Sequence, residues 1–192
     1  MYYAAQNNFY DAVVVLVENG AHVNQLTANH CSPLYIACKF GFYQIAKYLM
    51  ENGADVFKPN VDGHQPIHVA CEGGSLETVK MLIESGAKLD ARSNAGFFPF
   101  FYAAKHGHLE IVKYLVELGV NINEESQRGF TALYGACECN HLEIVKYLVG
   151  IGAKYHFKTK DGGYDCALFL LFIYFIDFFH CTLLLKWDIW KS

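Results

Sequence analysis

An excess of positive charge is what the sequence most clearly lacks. Its 192 residues carry 15 Lys and Arg against 19 Asp and Glu, a formal net charge of −4. Phosphate backbones are held by clustered cations, so nucleic acid is not an expected partner. Charge of either sign is sparse, at 18% against 53% hydrophobic residues, which excludes an intrinsically disordered chain. The seven cysteines are odd in number and scattered, so they form no disulfide framework. Free thiols in a reducing, cytoplasmic setting are expected. The opening MYYAAQNNFYDAVVVLVENG has no cationic segment ahead of its apolar run and does not read as a secretory signal. There is no Gly-x-Ser-x-Gly, phosphate loop, dinucleotide fingerprint or histidine triad. The expectation is therefore no catalytic site and no cofactor.

What the sequence has is a period. Gly20, Gly53, Gly86, Gly119 and Gly152 are spaced by 33 residues. Pro33, Pro66 and Pro99 keep that spacing, and Ala132 follows them. So do Lys47, Lys80, Lys113 and Lys146, and Leu49, Leu82, Leu115 and Leu148. Four parallel ladders at one period specify a repeat array. One unit runs from Asn60 to Asp90. Val61-Asp62-Gly63-His64 is turn chemistry, and Pro66 opens a helix where its missing N–H costs nothing. Gly73-Gly74 ends that helix. Leu76, Val79, Leu82 and Ile83 then form the apolar stripe of a second helix, closed at Ser85-Gly86. Neither helix can bury its stripe alone, so the units must stack. Ala37-Cys38, Ala70-Cys71, Ala103-Ala104 and Ala136-Cys137 place a small pair at one position of every full unit, where helices can approach closely.

These units resemble the ankyrin repeat. Ser32-Pro33-Leu34-Tyr35-Ile36-Ala37-Cys38 is similar to the first part of its signature. Gly107-His108-Leu109-Glu110-Ile111-Val112-Lys113-Tyr114-Leu115 is similar to the second, and Gly53-Ala54-Asp55-Val56 and Gly20-Ala21-His22-Val23-Asn24 to the third. The resemblance implies an all-α solenoid of stacked helix-turn-helix units with projecting hairpins and a concave binding face. It covers residues 1–160 as about five units: a truncated 1–25, then 26–58, 59–91, 92–124 and 125–157. Residues 161–192 form a separate hydrophobic tail. The family ties hairpin to helix with Thr and His. Here the hydroxyl survives at Ser32 and Thr131 but gives way to Gln65 and Phe98. The imidazole survives at His68 and gives way to Tyr35, Phe101 and Tyr134. A working but imperfect array is expected.

The resemblance also implies function: a non-catalytic module that binds a protein partner. Candidate contacts are the positions that vary from unit to unit while the scaffold does not. They are Asp62 and Arg128 in the turns, His64, Phe97 and Phe130 just after them, and Glu72, Lys105 and Glu138 after the small pairs. Phe97 and Phe130 are the expected aromatic anchors, the alternative being that both pack between neighbouring hairpins. Other constellations read as scaffold. Cys137 and Cys139 diverge on a helix, so no metal site is expected with His141. Glu77, Glu110 and Glu143 precede Lys80, Lys113 and Lys146 by three residues, as on a self-neutralised solvated face.

Residues 167–185, ALFLLFIYFIDFFHCTLLL, carry none of the repeat features. Their apolar residues favour membrane insertion by about 6 kcal/mol, and Asp177 opposes it by about 3 kcal/mol. Three readings stay open: a transmembrane anchor, an amphipathic helix closing the array, or sequence without a structural role. The first would make the chain a tail-anchored adaptor recruiting a partner to a bilayer. A regulatory subunit of an enzyme is a further alternative for the array itself. In all three tail readings the repeats expressed as residues 1–160 are expected to be soluble and helical, which circular dichroism of that fragment checks.

Overall fold

The computed structural model describes residues 1–155. The tail, with every expectation placed on it, lies outside them. Among the described residues there are ten helices and no strand, in five pairs: α1 (Tyr2–Gln6) with α2 (Tyr10–Glu18), α3 (Pro33–Lys39) with α4 (Tyr43–Glu51), α5 (Pro66–Gly73) with α6 (Leu76–Glu84), α7 (Pro99–Lys105) with α8 (Leu109–Glu117), and α9 (Ala132–Glu138) with α10 (Leu142–Gly150). The odd-numbered helices stack as an inner row, and the even-numbered ones as a looser outer row. No helix among the described residues is long and apolar enough to cross a membrane.

None of these helices exceeds nine residues. Isolated helices that short do not persist in water, so tertiary packing must hold them. The outer helices anchor through the leucine ladder: Leu49, Leu82, Leu115 and Leu148 are each fully buried. Each contributes about 1.5–3 kcal/mol of transfer free energy. The small pairs do the same work on the inner row, where Ala37, Cys38, Ala70, Cys71, Ala103, Ala104 and Ala136 are fully buried and Cys137 nearly so. Burial pushes the Cys38 and Cys71 thiols well above their ordinary range, so they are inert packing groups.

Helix starts follow the expected chemistry, with instructive departures. Pro33, Pro66 and Pro99 occupy the first helical turn. Ser32 and Thr131 accept from the N–H groups of Tyr35 and Tyr134, at 3.0 and 3.2 Å. Phe98, at the same position, makes no side-chain cap but is buried, with the Arg92 guanidinium 5.9 Å from its ring centre. Gln65 also departs, and its Oε1 is buried without a hydrogen-bond partner among the described residues. His68 compensates: its Nδ1 accepts from the Gln65 N–H at 3.0 Å and its Nε2 bonds the Ala91 carbonyl at 3.0 Å. That is the tie between helix and next hairpin expected of His68.

Gly73 does not break α5. It is the last residue of the helix, and Gly74, at φ 81°, is the left-handed C-cap. Gly73 is required for another reason: a Cβ there would lie 2.2 Å from the Lys39 carbonyl oxygen of α3. Backbone cannot yield as a side chain would. Gly73→Ala is expected to destabilise the array by about 1–3 kcal/mol despite the gain of about 1 kcal/mol in helix propensity. Gly150→Ala is the control, since no described atom beyond its chain neighbours and its own helix backbone lies within 4 Å of its Cβ position. It is expected to be neutral or stabilising in urea denaturation followed by circular dichroism.

Candidate partner-binding face

The hairpins are built by one recurring device. Thr27 Oγ1, Asn60 Oδ1, Ser93 Oγ and Ser126 Oγ each accept from the backbone N–H four residues on, at 2.9–3.1 Å. In each case the same pair closes a backbone bond in the other sense, from Thr27, Asn60, Ser93 and Ser126 N–H to the carbonyls of Cys31, His64, Phe97 and Phe130. Side-chain oxygens of this kind hold tight turns. Successive hairpins also bond to each other: Val61 N–H to Asn29 O, Asn94 N–H to Asp62 O, and Asn94 Nδ2 to Val61 O. The residue that ends each turn is therefore presented in a fixed line along the array.

That line carries the candidate anchors. Phe97 and Phe130 are half-buried, their ring centres 6.1 Å apart and their planes within 6° of parallel. Phe97 stacks on Phe101 of α7 at 4.3 Å, and Phe130 lies 4.6 Å from Tyr134 of α9. Tyr102 adds its edge to Phe97 at 6.1 Å and to Phe101 at 5.7 Å. At the other end, His64 Nε2 and the Tyr102 hydroxyl share a 2.7 Å hydrogen bond across the repeat boundary. The result is a continuous aromatic ledge over the last three full repeats. Its outer rings are half-exposed and its inner ring, Phe101, is buried.

The charged candidates behave differently from an array of independent contacts. Lys39 pairs with Glu72 at 3.5 Å, and Lys105 with Glu138 at 3.1 Å. Lys105 Nζ also lies 5.9 Å from the centre of the Phe101 ring. Base and acid alternate at one position of successive units, and stacking brings them side by side. Asp62 and Arg128 stand exposed at hairpin tips two units apart, and the structure does not bring them together. Of the outer-face pairs, Glu110–Lys113 and Glu143–Lys146 form at 2.9 and 3.6 Å, while Lys80 lies over the Tyr114 ring at 5.3 Å.

His64, His68, His108 and His141 are tied into the array by hydrogen bonds. Burial lowers His64, against the pull of Asp62 and Glu72, and lowers His68 to about 4. His108 Nε2 reaches the Glu72 carbonyl at 2.7 Å and His141 Nε2 the Lys105 carbonyl at 2.9 Å. Their rings fill the space over Gly74 and Gly107, where a Cβ would come within 2.4 and 2.6 Å of an imidazole carbon. His141 is thereby committed to the next repeat boundary, Cys137 is buried and Cys139 exposed. No group of three metal-binding side chains occurs among the described residues.

Sequence reasoning missed two parts of this face. The Thr27, Asn60, Ser93 and Ser126 ladder has the 33-residue period, but its members share only a side-chain acceptor. Phe101 and Tyr134 were readable as scaffold positions, Tyr102 carried no signal of its own, and only the stacking shows that all three extend the ledge. A family model described as ankyrin repeats in three copies matches residues 1–93 and again 89–161. No curated protein matches the chain.

Folded, His68 accepts a backbone bond at Nδ1 and must be neutral, with its pKa depressed to about 4 from an ordinary 6.5. The unfolded chain therefore takes up this proton first. The stability that neutral His68 contributes is present above pH 6.5 and is lost as pH falls toward 4, on the order of 3 kcal/mol when complete. Urea unfolding measured between pH 7 and 4 is expected to show this loss. His68→Gln is expected to be less stable at pH 7 and to have a shallower dependence over that interval.

Proposed function

The chain belongs to the ankyrin-repeat family, and on that basis we propose that it is a non-catalytic module that binds one protein partner across its hairpin tips and inner-helix face. Ankyrin repeats are in general protein–protein interaction modules. The observation that supports this face in particular is the division of labour between positions. The leucine and small-pair positions hold nearly one residue type and are buried in every full unit. The position at the foot of each hairpin changes from Cys31 to His64 to Phe97 to Phe130 and is only half-buried throughout. Large aromatic side chains kept partly in water, in a fixed line and backed by other rings, are the groups that anchor interfaces.

The test is affinity capture with the full chain as bait, beside the same bait carrying Phe97→Ala and Phe130→Ala. A specific partner is expected to be retained by the first and lost from the second, with affinity weakened by roughly 2 kcal/mol or more. Both rings also pack on the inner helices, so melting temperature and affinity must be measured on the same preparations. A large fall in stability with unchanged affinity per folded molecule would make them packing residues and overturn the proposal.

A further inference from the structure

The chemistry of the face narrows the kind of segment it accepts; this inference rests on the proposed binding face and deepens it. We propose that the partner segment is an extended, uncharged apolar one, and that it seats two large side chains on the Phe97–Phe130 ledge with little help from charge. Three observations carry this. The rings of Phe97 and Phe130 lie parallel, 6.1 Å apart and only partly buried, so they offer two adjacent footholds in one line rather than a single pocket. An extended segment can meet such a line with alternate side chains. One polar tip beside the ledge is already engaged, because the Tyr102 hydroxyl is held by His64 Nε2. Finally, the charges that flank the ledge are committed to one another. Lys105 is held by Glu138 at 3.1 Å and by the Phe101 ring, and Glu72 by Lys39 at 3.5 Å.

A charged partner would have to compete with these contacts. An exposed ion pair changes affinity by several-fold at most, whereas a central aromatic anchor is worth roughly 30-fold or more. Asp62 and Arg128 stand at tips two units apart with opposite signs, so their charges sum to zero over the face.

The probe is a displayed library of random peptides, about twelve residues long, selected against the immobilised full chain. Recovered peptides are expected to share two large apolar residues and to carry little net charge. Their affinity is expected to change less than about twofold between roughly 0.05 and 0.5 M NaCl. It is expected to fall roughly 30-fold with Phe97→Ala and Phe130→Ala, by no more than about fivefold with Lys105→Gln and Glu138→Gln, and to be unchanged with the outer-face control Glu110→Gln. If the double aromatic variant loses helicity, Phe130→Ala alone serves, with a fall of about tenfold expected. Acidic or basic peptides that weaken steeply with salt, yet still depend on Phe97 and Phe130, would overturn this inference and leave the binding face standing. Peptides indifferent to both rings would overturn the inference and the binding face together. Recovery no better than from an uncoated matrix would overturn the inference.

Discussion

Close approach of the inner helices is the constraint from which the rest follows. A seven-residue helix has no stability of its own, and each helix pair leaves an apolar side uncovered. Only another pair can cover it, and only if nothing bulky stands between. The Ala–Cys and Ala–Ala pairs clear that space, and Gly73 clears it to the point where even a methyl group would strike the Lys39 carbonyl. Once the inner row is this tight, the hairpins attached to it are carried into register. They can then bond tip to tip through Asn29, Val61, Asp62 and Asn94.

Register in turn decides what neighbouring side chains do. Residues one period apart are forced together whether or not they suit each other. Lys39 meets Glu72 and Lys105 meets Glu138, so alternating sign becomes neutrality. Phe97 meets Phe130, so a repeated aromatic becomes a parallel pair. His108 and His141 meet the end of the preceding inner helix, so each imidazole satisfies a carbonyl that the helix leaves without a partner. Arg92 does similar work at a single boundary, donating to the Gly96 and Glu125 carbonyls and pairing with Glu124.

This explains which features were legible beforehand. The period, the prolines at helix starts, the buried leucines and the small pairs are carried by residue identity, and identity is visible in the sequence. The family match over residues 1–93 and 89–161 agrees with that part. The hairpin acceptors were not legible because Thr, Asn and Ser fill one role through a shared oxygen rather than a shared name. The pairing of Glu72 with Lys39 and of Glu138 with Lys105 was hidden for a different reason. Read singly, each is a variable surface charge, and its partner becomes apparent only when the preceding unit is set beside it. The partial exposure of Phe97 and Phe130 was legible, because hairpin geometry alone keeps them partly in water, but their place in a larger stack was not. Phe101 and Tyr134 occupy a position where the family uses an imidazole tie.

The exchange at that position shows how a scaffold makes room for a specialised face. His68 contributes hydrogen bonds to Gln65 and Ala91, each worth about 0.5–1.5 kcal/mol net. Phe101 gives up that tie and gains ring contacts with Phe97, Phe98 and Tyr102, at about 0.5–1.5 kcal/mol per pair beyond their burial. Phe98 likewise forgoes a cap worth about 1 kcal/mol and recovers at least that much by becoming buried. Because the two kinds of contact are similar in size, a unit can change from polar ties to stacked rings without losing the stack. The unit around α7 has done so in both places and that around α9 at Tyr134 alone, keeping its Thr131 cap, and the rings that replace the ties also support the partly buried pair at the surface. The same residues therefore compensate the scaffold for its lost hydrogen bonds and build the ledge.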